Sequence, residues 1–350
     1  MSIGEVRSRL FQGQVVKKQL ECVGTCKNGQ WLVLENPLTN EKKQVYDAVS
    51  GAAVCSLFHG DKEILSQLND YAQEDMKEGM TEVEYTKELL DNLEETFIKN
   101  DPSTVAGVIM ETVCGYLDGA RAIAHKYGAL FMLDEVMCGL GRTGYPFAFM
   151  DPELGLSTGG PDIMTFGKTI GSGYVSLSGV LFSPKVVKTI EEGSGMAIGF
   201  QTYQSHHLNC RVGLALQQKL HENNLIDNVK VVGAYLKDQL KKQLKGCKVC
   251  GDVRCAGNFL SVELVKDRTT KEFFPPEMRM SRVLYQKTFG KGAHFMCNNG
   301  CAGYEVKDGK VIEYGDHLTM APAFGFSKED ADFIVKVVKE TFAEIGEQYL

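Results

Sequence analysis

Apolar residues come in short runs separated by helical stretches. Ala129-Leu130-Phe131-Met132-Leu133 is five apolar positions closed by Asp134, Glu135 and Val136. A run this short, ending in acids, predicts a buried parallel strand. A second run, Ile163-Met164-Thr165-Phe166, delivers Gly167 and Lys168, and Gly139 to Gly144 between the two reads as a loop. Upstream, Val105 to Met110 predicts another buried strand, which ends at Glu111. Leu117, Ala120, Ile123 and Tyr127 share one face of a helix predicted over 116–127, with Gly128 as its stop. Strand, helix and strand in that order predict a parallel unit.

The remaining pattern is also alternating and helical by turns. Gln30 to Leu34 is β-rich, and Asn36-Pro37 marks a turn. Ile64, Leu68 and Tyr71 predict a helix over 62–76. Val83, Leu89, Leu90, Leu93 and Phe97 predict another over 82–100, stopped by Asp101-Pro102. Further helices are expected over 210–222, 229–244 and 328–344, with a strand pair within 250–265.

Composition narrows the class. The 350 residues suffice for one large domain and a smaller one, and 43% hydrophobic with 24% charged is ordinary for a globular protein. A net charge of -7 argues against nucleic acid as a partner. The start lacks the apolar core of a signal peptide, and no apolar run approaches a membrane span, so no membrane is expected. Cys247-x-x-Cys250 has a spacing seen in zinc sites, but no second pair follows it. The eleven cysteines therefore predict reduced thiols in a cytoplasmic protein, and no metal site is expected.

An acid at one strand end and a lysine at the next place a site at the carboxyl edge of an α/β sheet, where such sheets bind ligands. Pyridoxal phosphate chemistry wants this pair. A lysine amine condenses with the aldehyde, and a carboxylate keeps the pyridine nitrogen protonated. Two nucleotide motifs fail. A phosphate-binding loop ending in Gly167-Lys168-Thr169 needs glycine where Asp162 stands, and Gly171-x-Gly173 is followed by Ser176 where a third glycine is required.

Leu133-Asp134-Glu135-Val136-Met137-Cys138-Gly139-Leu140-Gly141-Arg142-Thr143-Gly144, with Pro161-Asp162-Ile163-Met164-Thr165-Phe166-Gly167-Lys168, closely resembles the signature of class III pyridoxal-phosphate-dependent aminotransferases, the ornithine and omega-amino-acid group. The resemblance implies fold type I: a mostly parallel sheet in a large domain, plus a smaller α+β domain formed by the two ends of the chain. The implied division is 1–58 and 223–350 for the small domain and 59–222 for a truncated cofactor-binding domain. By the same resemblance Lys168 is the catalytic lysine that holds pyridoxal 5'-phosphate, Asp134 faces the ring nitrogen and Val136 packs on the ring. Thr202, in Phe200-Gln201-Thr202-Tyr203, binds the cofactor phosphate of the partner subunit, which implies a homodimer. Glu111 lies near the substrate, with Thr112 where relatives have proline. His59 is expected to be a capping or core histidine. Thr319 falls where ornithine-type relatives place a carboxylate-binding arginine before an Ala-Pro stretch.

The resemblance is interrupted. Relatives carry a block between the helix ending near Met76 and that starting near Glu82, with a phosphate-cradling turn and an aromatic residue that stacks on the ring; here only 77–81 intervene. The implied reaction moves an amino group from an amine or amino acid to an oxo acid. The alternative is a non-catalytic aminotransferase-like protein that binds a partner or metabolite.

Overall fold

The computed structural model describes residues 21–26, 31–35, 42–46, 81–113, 116–196, 202–300, 303–307 and 310–350. The expected helix over 62–76, His59 and the 77–80 junction lie outside the described residues. The chain divides into two units, Met1–Asp75 with Ala302–Glu313, and Met76–Cys301 with Tyr314–Leu350.

In the first unit, β1 (Glu21–Cys26), β2 (Trp31–Glu35) and β3 (Lys42–Tyr46) form an antiparallel meander in the order β1-β2-β3. The β-rich stretch around Trp31 is its central strand, in register from Trp31 opposite Tyr46 to Glu35 opposite Lys42.

The second unit begins with helix α1 (Glu82–Lys99). Thr81 opens it with a capping box, its hydroxyl accepting from Glu84 N–H while the Glu84 carboxylate accepts from Thr81 N–H. Then come β4 (Gly107–Glu111), α2 (Leu117–Lys126), β5 (Leu130–Asp134), β6 (Ile163–Phe166) and β7 (Gly179–Phe182). The sheet order is β4-β5-β6-β7, with the first two pairings parallel and the last antiparallel. Phe97, Leu117, Ala120, Ala124, Phe131 and Leu133 share one apolar core, so α1 and α2 cover one face of this sheet. The other face is barer. Strand β4 was expected to be buried, yet Ile109 is 58% exposed. A parallel sheet is normally covered on both faces. Among the described residues β4 and β7 are edge strands, and Val180 and Leu181 on β7 are also exposed.

Helix α3 (Pro184–Glu192) follows β7, and α4 (His207–Glu222) and α5 (Leu225–Gln243) lead to the carboxyl-terminal half. There β8 (Cys250–Ala256) and β9 (Phe259–Leu264) form the expected strand pair. Helix α6 (Met280–Gly290) precedes β10 (Met296–Asn298). Strands β11 (Gly303–Lys307) and β12 (Lys310–Tyr314) pair as a hairpin, and β13 (Asp316–Met320) and α7 (Lys328–Tyr349) complete the chain. The sheet order is β10-β13-β9-β8. Its core takes Leu236 and Leu240 from α5, Leu260, Val262 and Leu264 from β9, and Val338, Phe342 and Ile345 from α7. Helix α7 runs to Tyr349, past the expected end at 344, because Ile345 continues its apolar face. Among the described residues, no helix is long and apolar enough to cross a membrane.

Candidate active site

The two acids that close β5 part company because successive side chains on a strand point to opposite faces. Phe131 and Leu133 are fully buried, and Glu135 continues their side at 1% exposure. Asp134 continues the half-exposed side of Leu130 and Met132.

Glu135 organises the loop that follows. One carboxylate oxygen accepts from Ala148 N–H at 2.8 Å, and the other from Phe149 N–H and the Thr112 hydroxyl, each at 2.8 Å. Burial pushes its carboxyl up against the pull of these hydrogen bonds. Thr112 is itself fully buried and supplies one of these donors. Sequence reasoning missed both roles. The available signal was a strand ending in two carboxylates, which must face opposite ways.

Asp134 lies in register with Glu111 on β4 and Thr165 on β6, so all three stand at the carboxyl edge of the sheet. Asp134 Oδ1 accepts from Val136 N–H at 2.9 Å, and among the described residues Oδ2 is left without a hydrogen bond. The buried Thr165 hydroxyl has no hydrogen-bond partner. Val136 packs beside Gly167, where a Cβ would meet its Cγ1 at 3.3 Å. Asp134, Val136 and the end of β6 thus lie together. A free carboxylate oxygen and an unpartnered hydroxyl on one edge fit the nitrogen end of a pyridine ring.

Lys168 follows Gly167 directly and is exposed. Its φ of 42° is left-handed, a conformation costly to a residue with a Cβ. Its carbonyl accepts from Gly171 N–H at 3.1 Å and Ser172 N–H at 2.8 Å, which hold the turn. Gly171 is required there, because a Cβ would lie 2.1 Å from Val175 O. Lys168 lines a cavity of about 680 Å³ with Arg142, Lys219 and Phe324, whereas Asp134 and Val136 lie outside that lining. Thr202 is exposed in the turn before α4. Glu111 is exposed at the end of β4.

Thr319 is buried on β13 opposite Ser261. The cation at the Ala321-Pro322 stretch comes instead from the loop after Asp134. Arg142 Nη1 donates to Pro322 O at 2.6 Å and to Asn258 Oδ1 at 3.2 Å, and its guanidinium lies 4.6 Å from the Phe324 ring centre. Burial lowers Arg142 to about 10, which leaves it charged at neutral pH.

Comparison with known proteins identifies the family. Residues 56–341 match the family Aminotransferase class-III. The chain belongs to the class III aminotransferase family. An uncharacterised aminotransferase of Schizosaccharomyces pombe is 31% identical over 274 residues, covering 75% of this chain and 57% of that protein. The solved (S)-enantioselective omega-transaminase of Thermomicrobium roseum superposes with a TM-score of 0.66 at 32% identity, over 77% of this chain and 57% of that one. The taurine:2-oxoglutarate aminotransferase of Bifidobacterium kashiwanohense, solved with pyridoxal phosphate and glutamate, gives 0.66 at 25% identity, over 79% of this chain and 61% of that one. The α/β architecture with its mixed, mainly parallel sheet is the fold type I arrangement of these transaminases. The chain spans little more than half the length of the relatives it matches.

Proposed function

We propose that this chain carries the reacting half of a pyridoxal-phosphate-dependent aminotransferase site, for amino transfer from an amine or amino acid to an oxo acid. One observation carries the reading: adjacent parallel strands bring Asp134 and the Gly167-Lys168 turn to one edge of the sheet, within the two segments that resemble the family signature. When bound, the cofactor supplies a protonated pyridine ring that accepts electrons from the substrate carbon.

The chain's own groups have distinct tasks in this reading. Asp134 Oδ2 holds the proton at the ring nitrogen, while Oδ1 stays tied to Val136 N–H. Val136 covers one ring face. Lys168 Nζ would hold the cofactor through its aldehyde carbon, and the same amine would serve as acid and base at the substrate carbon. The strained turn at Lys168 fixes where that amine emerges. Thr202 meets the phosphate held by a second copy of the chain, so the active assembly is a homodimer. Glu111, level with Asp134, stands on the substrate side. Residues 1–58 and 223–350 would form the small domain and 59–222 the cofactor domain of a cytoplasmic enzyme.

The test is a screen of amine donors against oxo acids, with the full chain and excess pyridoxal phosphate. New amino acid should form with the parent chain and not with Lys168→Ala. Equal formation by both would refute the assignment.

A further inference from the structure

We propose that Cys247 and Cys250 form a thiol–disulfide exchange site, which takes an anionic low-molecular-weight disulfide of the glutathione type and closes to an intrachain disulfide. The proposal is independent of the amino-transfer reading, since no residue of the cavity beside Cys247 lines the one that holds Lys168.

The Cys247-x-x-Cys250 spacing is also one that metals use, but among the described residues no third cysteine, histidine or carboxylate joins the pair in a group that could hold an ion. The local geometry suits a different use. Lys248 and Val249 form a turn just ahead of β8, and Cys250 N–H donates across it to Cys247 O at 3.4 Å. A turn closed in this way keeps its outer Cα atoms within about 7 Å, and a disulfide spans about 4.4–6.8 Å between Cα atoms. The two thiols can therefore meet with little movement of the backbone.

The pair is asymmetric. Cys250 opens β8 and is 3% exposed in the apolar core, whereas Cys247 is half-buried at the edge of that core. Burial first, and then the charge of a Cys247 thiolate, push the Cys250 thiol up to about 12. Cys250 therefore stays protonated until a partner sulfur is beside it, and Cys247 is the thiol that meets reagents. Cys247 lines a cavity of about 600 Å³ with Lys245, Lys248 and Lys339, against one side-chain carboxylate, Glu347. Lys339 Nζ donates to a neutral acceptor, Gln243 Oε1, at 2.9 Å. In a chain of net charge -7 this is a local excess of positive charge, and it favours a disulfide that carries carboxylates. In the first step the Cys247 sulfur, as thiolate, attacks one sulfur of the reagent; the reagent's S–S bond breaks and one thiol leaves. Cys250 then gives up its proton and attacks the Cys247 sulfur of the mixed disulfide, and the second thiol leaves. The chain loses two electrons and two protons, which the two released thiols carry.

In the test, the full chain, reduced and freed of reductant, is exposed to glutathione disulfide or to cystamine, a cationic disulfide, then alkylated and mapped by peptide mass. The parent should yield Cys247 joined to Cys250. Cys250→Ala should instead hold one glutathione on Cys247, and Cys247→Ala should leave Cys250 reduced. Glutathione disulfide should act about three- to tenfold faster than cystamine at low ionic strength, and added salt should narrow that gap. If circular dichroism shows that Cys250→Ala does not fold, the linkage found in the parent and its salt dependence decide. Both cysteines still reduced in the parent once exposed Cys210 has reacted would overturn the proposal. So would glutathione that stays on Cys247 of the parent, Cys250 oxidised in Cys247→Ala, or equal rates with the two reagents. A pair that alkylates only after a chelator strips zinc from it would be a metal site, which also overturns the proposal.

Discussion

Asp134 and Glu135 are adjacent carboxylates whose substitutions should fail in different ways. Asp134→Asn keeps an oxygen for Val136 N–H, so stability should change by less than about 0.5 kcal/mol. A neutral amide cannot hold the ring proton, and retention of pyridoxal phosphate should fall by about one to two powers of ten. Visible absorbance during cofactor titration measures this, and unchanged retention would remove Asp134 from the site. Glu135→Gln should instead lower stability by about 1–3 kcal/mol, because an amide nitrogen cannot accept from Ala148 or Phe149. Urea unfolding checks it. Asp162 anchors the turn into β6. It accepts from Phe131 N–H at 2.9 Å and pairs with His125 at 2.8 Å. Burial pushes its carboxyl up, but these two bonds outweigh that and hold it below its ordinary value. A depressed carboxylate contributes stability that is fully present above about pH 4 and lost as pH falls through its lower folded value. Asp162→Asn should therefore flatten the acid limb of the stability profile; an unchanged acid limb would show that the pair contributes nothing.

At the scale of elements, the strand ends and the lysine turn were legible because hydrophobic period and punctuation are local. Ile163–Phe166 lies where the apolar run predicts it, and β8 and β9 fall within 250–265. The role of Arg142 was not legible, since Pro322 is 180 residues away in sequence. Nor was the exposure of Ile109, because a strand's own sequence does not report whether its second face finds a cover. The loop bearing Arg142 is seated by a close approach elsewhere. Gly257, in the turn between β8 and β9 at a φ of 60°, lies so near Thr143 that a Cβ would stand 2.4 Å from its carbonyl carbon. On the other side, a Cβ on Gly233 of α5 would meet Gly257 O at 2.3 Å. Gly233→Ala gains about 1 kcal/mol of helix propensity but must move backbone, at about 1–3 kcal/mol or more. The clash is with backbone rather than a flexible side chain, so the net effect should be destabilising by circular-dichroism melting. A stabilised variant would mean that α5 can shift freely.

For the whole molecule, the proposed site sets a reacting edge on the described sheet against a phosphate contact proposed at Thr202 alone among the described residues. The cofactor's phosphate is a dianion, and Thr202 is the residue proposed to meet it. Losing several charge-assisted bonds of about 1.5–3 kcal/mol each should weaken cofactor binding by two or more powers of ten relative to the longer aminotransferases. Saturation is therefore expected above micromolar cofactor, and submicromolar saturation would show that other residues cradle the phosphate. Weak binding does not change which lysine reacts. The direct measurement is borohydride reduction of the full chain with excess pyridoxal phosphate, followed by peptide mass mapping. The cofactor label is expected on Lys168, reduced in Asp134→Asn and absent in Lys168→Ala; a label confined to other lysines, with Lys168 unmodified, would rule out Lys168 as the reacting lysine.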